Sequence, residues 1–79
     1  MNIRLFGITR DIVGTDNLCV PQELSIQTVK DLKEWLYREY PEIKTLKALA
    51  VAVDHSYAED GDILIADNEI ALIPPVSGG

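Results

Sequence analysis

The chain has 79 residues, with seven Lys and Arg against thirteen Asp and Glu and a formal net charge of −6. A chain this short buries only about 60% of its unfolded surface, which leaves room for one small core and not for an enclosed active site as well. The acidic balance disfavours binding to phosphate backbones, and no segment approaches the roughly 20 apolar residues of a membrane-spanning helix, so a binding, carrier or subunit role is favoured over a self-sufficient enzyme.

Asn2-Ile3-Arg4-Leu5-Phe6 alternates polar and apolar residues, predicting a strand with Ile3 and Leu5 on one face and Gly7 as its close. The stretch ITRDIVGTD reads as a loop with one helical turn around Arg10 to Val13, ended by Gly14. Asn17 to Val20 reads as a short second strand, stopped by Pro21 and returning along the first as a hairpin. Thr28 is a helix N-cap candidate with Asp31 in the capping-box position. Helical spacing then gathers Val29, Leu32, Leu36 and Tyr40 into one stripe, flanked by Trp35 and Tyr37. Pro41 ends that helix, because it disfavours helical conformation at Tyr40.

Ala48 to Val53 reads as a strand whose bulky residues alternate with alanines, as if the alanine side carried a close neighbour. Asp54, His55 and Ser56 form a turn, and Tyr57 continues in extended form. Glu59 to Asp62 turns again, Ile63 to Ile65 reads as a brief strand, and Asp67-Asn68 is a further turn. Glu69 to Ile73 is the last strand, ended by Pro74 and Pro75. One helix among these strands must bury its stripe against one face of a mixed sheet. The expected fold is α+β, a ubiquitin-like β-grasp with a mixed sheet packed on one main helix and the first and last strands as parallel neighbours. The expected domain spans residues 1–79, with 74–79 an extended C-terminal tail.

One Cys and one His cannot build a zinc site of the common spacings, and no phosphate-cradling glycine loop is present. Asp60 and Asp62 lack the series of a calcium loop and read as a solvated turn. Cys19, in a predicted strand, is expected to be a small buried hydrophobe, with a reactive or persulfide-carrying thiol as the alternative. A lone cysteine and the absence of a signal-peptide pattern at the start fit a reducing, cytoplasmic setting. His55 has no nucleophile or orienting carboxylate at a recognisable spacing and is expected at the surface.

The end of the sequence is more specific. An α-carboxylate, with a pKa near ~3.5, is ionised at neutral pH and is a poor electrophile. It becomes reactive as an acyl adenylate, and Gly79 offers such a carboxylate on a thin support. Gly78 and Gly79 have no side chains to obstruct a narrow channel. Pro74 and Pro75 restrict φ and favour extension, with Val76 and Ser77 completing the spacer. At about 3.1 Å per residue, Pro74 to Gly79 would project by almost ~20 Å. A frayed end is the alternative reading of a bare Gly-Gly.

EIALIPPVSGG (Glu69 to Gly79), RLFGITRDIVGTD (Arg4 to Asp16), VPQEL and TVKDLKEWLYREYP follow one another in a familiar order. In them the chain resembles, over essentially its whole length, the MoaD-type sulfur carriers, the small subunits of molybdopterin synthase. Family members often carry Gly-Asp-Glu before the last strand, where this chain has Asp67-Asn68-Glu69. The resemblance implies that an E1-like, ATP-consuming enzyme adenylates Gly79 and that a sulfur donor converts it to a thiocarboxylate. It implies insertion of the tail into the large synthase subunit, in a heterotetramer of two carriers and two large subunits. Sulfur would pass there to cyclic pyranopterin monophosphate, with no cofactor bound by this chain and the catalytic groups on the large subunit. Strand alternation places Phe6 and Ile73 on the outer face near the tail's root, as a partner-docking patch or one covered by its own loop. Arg10 would add a charged partner contact or pair locally with Asp11 or Asp16. Sulfur carriage for thiamin or tRNA thiolation, and a ubiquitin-like modifier or binding module, are the other readings.

Overall fold

The computed structural model describes residues 1–21, 24–46 and 49–74. Its elements are β1 (Asn2–Leu5), α1 (Gly7–Val13), β2 (Asn17–Cys19), α2 (Val29–Glu39), α3 (Pro41–Lys44), β3 (Ala50–Val53), β4 (Ser56–Ala58) and β5 (Ile70–Ile73). The strands form one sheet in the order β2-β1-β5-β3-β4. β1 and β5 run parallel, and the other neighbours are antiparallel. This is the expected β-grasp.

The period-2 pattern builds the inner face. Ile3 pairs with Ile70 and Leu5 with Leu72 across β1 and β5, and Leu72 is opposite Val51 of β3. All five are buried, as are Val29, Leu32, Trp35 and Leu36 of α2. Trp35 thus belongs to the buried stripe, whereas Tyr40, at the end of the helix, is only partly buried.

The start of α2 leaves none of its first amides unpaired. The Thr28 N–H donates to an Asp31 carboxylate oxygen at 3.3 Å, and the Asp31 N–H donates to the Thr28 hydroxyl at 3.2 Å. Val29 and Lys30 donate to the carbonyls of Asp62 and Asp60 at 3.0 and 2.9 Å. A helix leaves four such donors without intrahelical partners; here the capping box and the 60–62 turn take them all. The Lys33 ammonium also reaches the Asp60 carboxylate at 2.8 Å.

Several elements depart from the sequence reading. The single turn expected near Arg10 is a helix of 7 residues. Its first turn is closed by the fully buried Thr9, whose hydroxyl donates to the Phe6 carbonyl at 2.6 Å and accepts from the Phe6 N–H at 3.2 Å. Gly14, with φ 91°, ends it in a left-handed C-cap. Pro41 ends α2 as expected but also opens α3, whose Ile43 is fully buried; proline suits a first helical position because its missing N–H has no partner there. The strand expected at Ile63 to Ile65 reduces to one bridge between Thr28 and Ile63, with Leu64 buried and Ile63 and Ile65 exposed. The third strand begins at Ala50, and Ala48 lies outside the described residues. Cys19 is exposed rather than buried: Leu18 lies opposite Ile3, so the alternation turns Asn17 and Cys19 to the other face.

Two measurements check the α2 cap. Thr28→Ala should lower stability by about 1 kcal/mol in urea unfolding, with an unchanged m-value. The Asp60 carboxyl lies below its usual 3.8, first through the hydrogen bond from Lys33 and then through that ammonium's charge. A lowered folded-state pKa gives stability that is present above the unfolded value and lost as pH falls through the folded one. Lys33→Met should therefore flatten the acid side of the stability–pH curve below about pH 4, leaving its shape near neutrality unchanged.

Candidate functional site

The face of the sheet away from α2 has its own order. Arg4 of β1 is opposite Ala71 of β5, Ala71 is opposite Ala52 of β3, and Ala52 is opposite Tyr57 of β4. The two alanines make a low floor, and the long Arg4 and Tyr57 side chains stand at its sides. One step further along β5, Ile73 pairs with Ala50, while Phe6 follows directly on Leu5, the partner of Leu72. Arg4, Phe6, Ala52, Tyr57, Ala71 and Ile73 line one open groove, with His55 and Glu69 at its far rim. Tyr57 is 77% exposed and Phe6 46%, and Ile73 is half-buried.

The structure brings Phe6 and Ile73 together at the end of the sheet where β5 gives way to Pro74. It does not bring Arg10 to them. Arg10 is exposed on α1 and is not part of the groove lining. Among the described residues the Lys33 ammonium meets the Asp60 carboxylate and the His55 ring meets that of Glu69, whereas the local pairing of Arg10 with Asp11 or Asp16 is not formed. Pro75, Val76, Ser77, Gly78 and Gly79 lie outside the described residues. Sequence reasoning missed Arg4 and Tyr57 as groove walls. The signal for Arg4 was its polar place in the β1 alternation; Tyr57 becomes a wall only through the β3–β4 register.

The rim is held by a tight hairpin turn. Asp54 and His55 both have positive φ, 51° and 72°, between the paired residues Val53 and Ser56. Aspartate tolerates this region better than most residues, and histidine is less suited to it than glycine. The turn is fastened from outside: the Asp54 carboxylate accepts from Asn68 Nδ2 at 2.7 Å and from the Glu69 N–H at 2.8 Å. The Asp54 N–H donates to the Glu69 carbonyl at 2.8 Å, and His55 Nε2 lies 3.0 Å from the Glu69 carboxylate. At the Asp67-Asn68-Glu69 sequence, Asn68 closes its own turn by accepting from the Ile65 N–H at 2.7 Å.

This surface offers apolar contact bordered by charges of both signs, which suits docking more than bond-making. No group of three or more His, Cys, Asp and Glu among the described residues could hold a metal ion. No helix among them is long and apolar enough to cross a membrane.

Sheet order, crossover helix and open outer face define a protein of the ubiquitin-like β-grasp class. The chain belongs to the ThiS family, whose pattern matches residues 3–79. It is 40% identical over 80 residues to the molybdopterin synthase sulfur carrier subunit of Dictyostelium discoideum, covering 98% of this chain and 93% of the relative. The protein of the same name from Arabidopsis thaliana is 30% identical, over 100% of this chain and 82% of its own. Among solved structures, SAMP1 from Haloferax volcanii superposes with a TM-score of 0.80 at 25% identity, covering 99% of this chain and 97% of that one. The complex of subunits 1 and 2 of the molybdopterin-converting factor from Helicobacter pylori contains a chain with the same fold, at a TM-score of 0.65 and 23% identity, covering 99% of this chain and 96% of that one.

Proposed function

We propose that this chain is the sulfur carrier subunit of a molybdopterin synthase, with the α-carboxylate of Gly79 as its working group. The observation that carries the reading is the family match running through Gly79, on relatives of nearly the same length that bear this name. A carboxylate oxygen of Gly79 attacks the α-phosphorus of ATP on an E1-like enzyme and displaces pyrophosphate. A sulfur donor at the sulfide level then displaces AMP, so that one C–O bond is replaced by C–S. The thiocarboxylate is soft and nucleophilic, and it delivers sulfur to cyclic pyranopterin monophosphate in the large subunit. ATP belongs to the activating enzyme, and this chain needs no bound cofactor. Two carriers and two large subunits make the working assembly, in the cytoplasm.

The groove has a natural place in this cycle. The tail alone gives little grip, because two of its residues have no side chains. Phe6 and Ile73 supply apolar contact beside the tail's root, where a partner must approach to receive it, Tyr57 extends that contact across the groove, and Arg4 offers charge at its edge. The likeness to SAMP1 favours a second reading, attachment of this chain to other proteins as a modifier. The two readings separate by product: a thiocarboxylate on the free carrier, or an isopeptide bond from Gly79 to a lysine.

The intact mass after incubation with ATP, activating enzyme and sulfur donor tests the proposal. One oxygen replaced by sulfur is expected, and the change should vanish on deletion of Gly79 without loss of thermal stability. A chain that keeps Gly79 and gains no sulfur beside a demonstrably active enzyme, yet forms conjugates, would overturn carriage in favour of modification. For docking, Phe6→Ala and Ile73→Ala should each weaken large-subunit binding by about tenfold or more, as central apolar anchors do. Unchanged affinity in both would remove the groove from the interface.

A further inference from the structure

Gly7 and Gly14 both have positive φ, 57° and 91°, a region in which a residue with a Cβ is strained. Their surroundings differ. A Cβ at Gly14 would meet nothing within 4 Å, whereas a Cβ at Gly7 would come within 3.2 Å of Cγ of Pro74. Both sides of that contact are restricted, Cγ of the proline to the puckers of its ring. The proline ring fixes its own φ and cannot swing aside as a long side chain would. Gly7 is held by its neighbours, because the buried Thr9 hydroxyl grips both the N–H and the carbonyl of Phe6. Because β1 and β5 are parallel, with Leu5 opposite Leu72, the chain leaves both strands at the same end of the sheet.

We propose that Gly7 is a positioning residue for the C-terminal segment: its missing side chain is the seat of the Pro74 ring, and so sets the direction in which the chain leaves β5. The seat stands on geometry alone; its consequence for sulfur loading rests on the carrier reading above. A side chain at position 7 lifts the ring by a few tenths of an ångström. The shift falls at the base of a spacer whose far end must meet an adenylating site, where small misplacements cost rate steeply.

Gly14→Ala serves as the control, since it carries the backbone strain without the contact. Gly7→Ala should shift the Pro74 ring resonances and the Ile73 and Val76 amides in heteronuclear NMR spectra. It should also lower kcat/KM for adenylation by about tenfold relative to Gly14→Ala. Pro74→Ala, which removes the ring without straining residue 7, should move the amides of Gly7 and Ile8, remote from it in sequence, and covers the case in which Gly7→Ala does not fold. The double variant Gly7→Ala/Pro74→Ala should load no more slowly than Pro74→Ala alone, because the clash is gone. Pro74 and Ile73 signals that stay in place in Gly7→Ala, or Gly7 and Ile8 amides that stay in place in Pro74→Ala, would overturn the seat. Shifted signals with loading equal to that of Gly14→Ala would overturn the positioning role. Should even the unaltered chain take no sulfur beside an active enzyme, the carrier reading falls, and the resonances decide the seat by themselves.

Discussion

The parallel pairing of β1 with β5 is the contact on which the rest of this molecule depends. It joins the two ends of the described chain, and parallel neighbours need a long crossover, here supplied by the segment containing α2. The cost of closing so long a loop is offset by burial, because Ile3, Leu5, Ile70 and Leu72 are almost wholly removed from water between the sheet and α2. Register then follows on the opposite face. Once Leu5 lies beside Leu72, Phe6 and Ile73 emerge side by side, with Gly7 against Pro74. Core packing, outer groove and direction of the terminus are three consequences of one register, and a slip of one residue would invert the faces.

The outer face remains open because its centre is built from alanine. Ala52 and Ala71 face each other there, too small to fill the space between Arg4 on one side and Tyr57 on the other. A sheet with one face buried and one available is ordinary in antiparallel β structures. What is particular here is that the open face continues to the end of β5. The Asp54 carboxylate ties the β3–β4 turn to the residue before β5, so the far rim is braced against the same strand that bears the terminus. A partner seated in the groove would therefore meet a surface in fixed relation to the root of the tail.

Much of this was legible in the sequence because it is local. The Thr28–Asp31 box, the stop at Pro41 and the alternation of β1 and β5 each depend on residues a few positions apart. What escaped was non-local or chemically atypical. α1 was read only in its last turn, where Ile12 and Val13 pack on the core, because its one fully buried side chain, Thr9 in the first turn, is not apolar. α3 was missed because a four-residue helix has no period to detect and its proline also marks a stop. Ile63 and Ile65 invited a strand, yet Leu64 alone is buried and one bridge is all the ladder there is. Cys19 was misjudged because strand membership does not reveal which face a residue takes. The reading of the terminus rests on residue types alone, a carboxylate on two glycines, and Pro75 to Gly79 lie outside the described residues. The groove was readable only in part, since Arg4 and Tyr57 meet through the pairing of four strands.

A domain this small separates stability from work. The buried core side chains of the described residues run from Ile3 to Leu72, whereas the group proposed to carry sulfur is seven residues further on. Among the described residues no ionisable side chain is fully buried, and the one buried polar residue, Thr9, satisfies its hydroxyl locally. The fold is therefore free of the strain that a buried catalytic group imposes. What the fold must supply is a fixed base, a surface to grip and a direction. The register of β1 and β5 supplies the first two, and the contact between a glycine without a side chain and a proline that cannot turn aside accounts for the third.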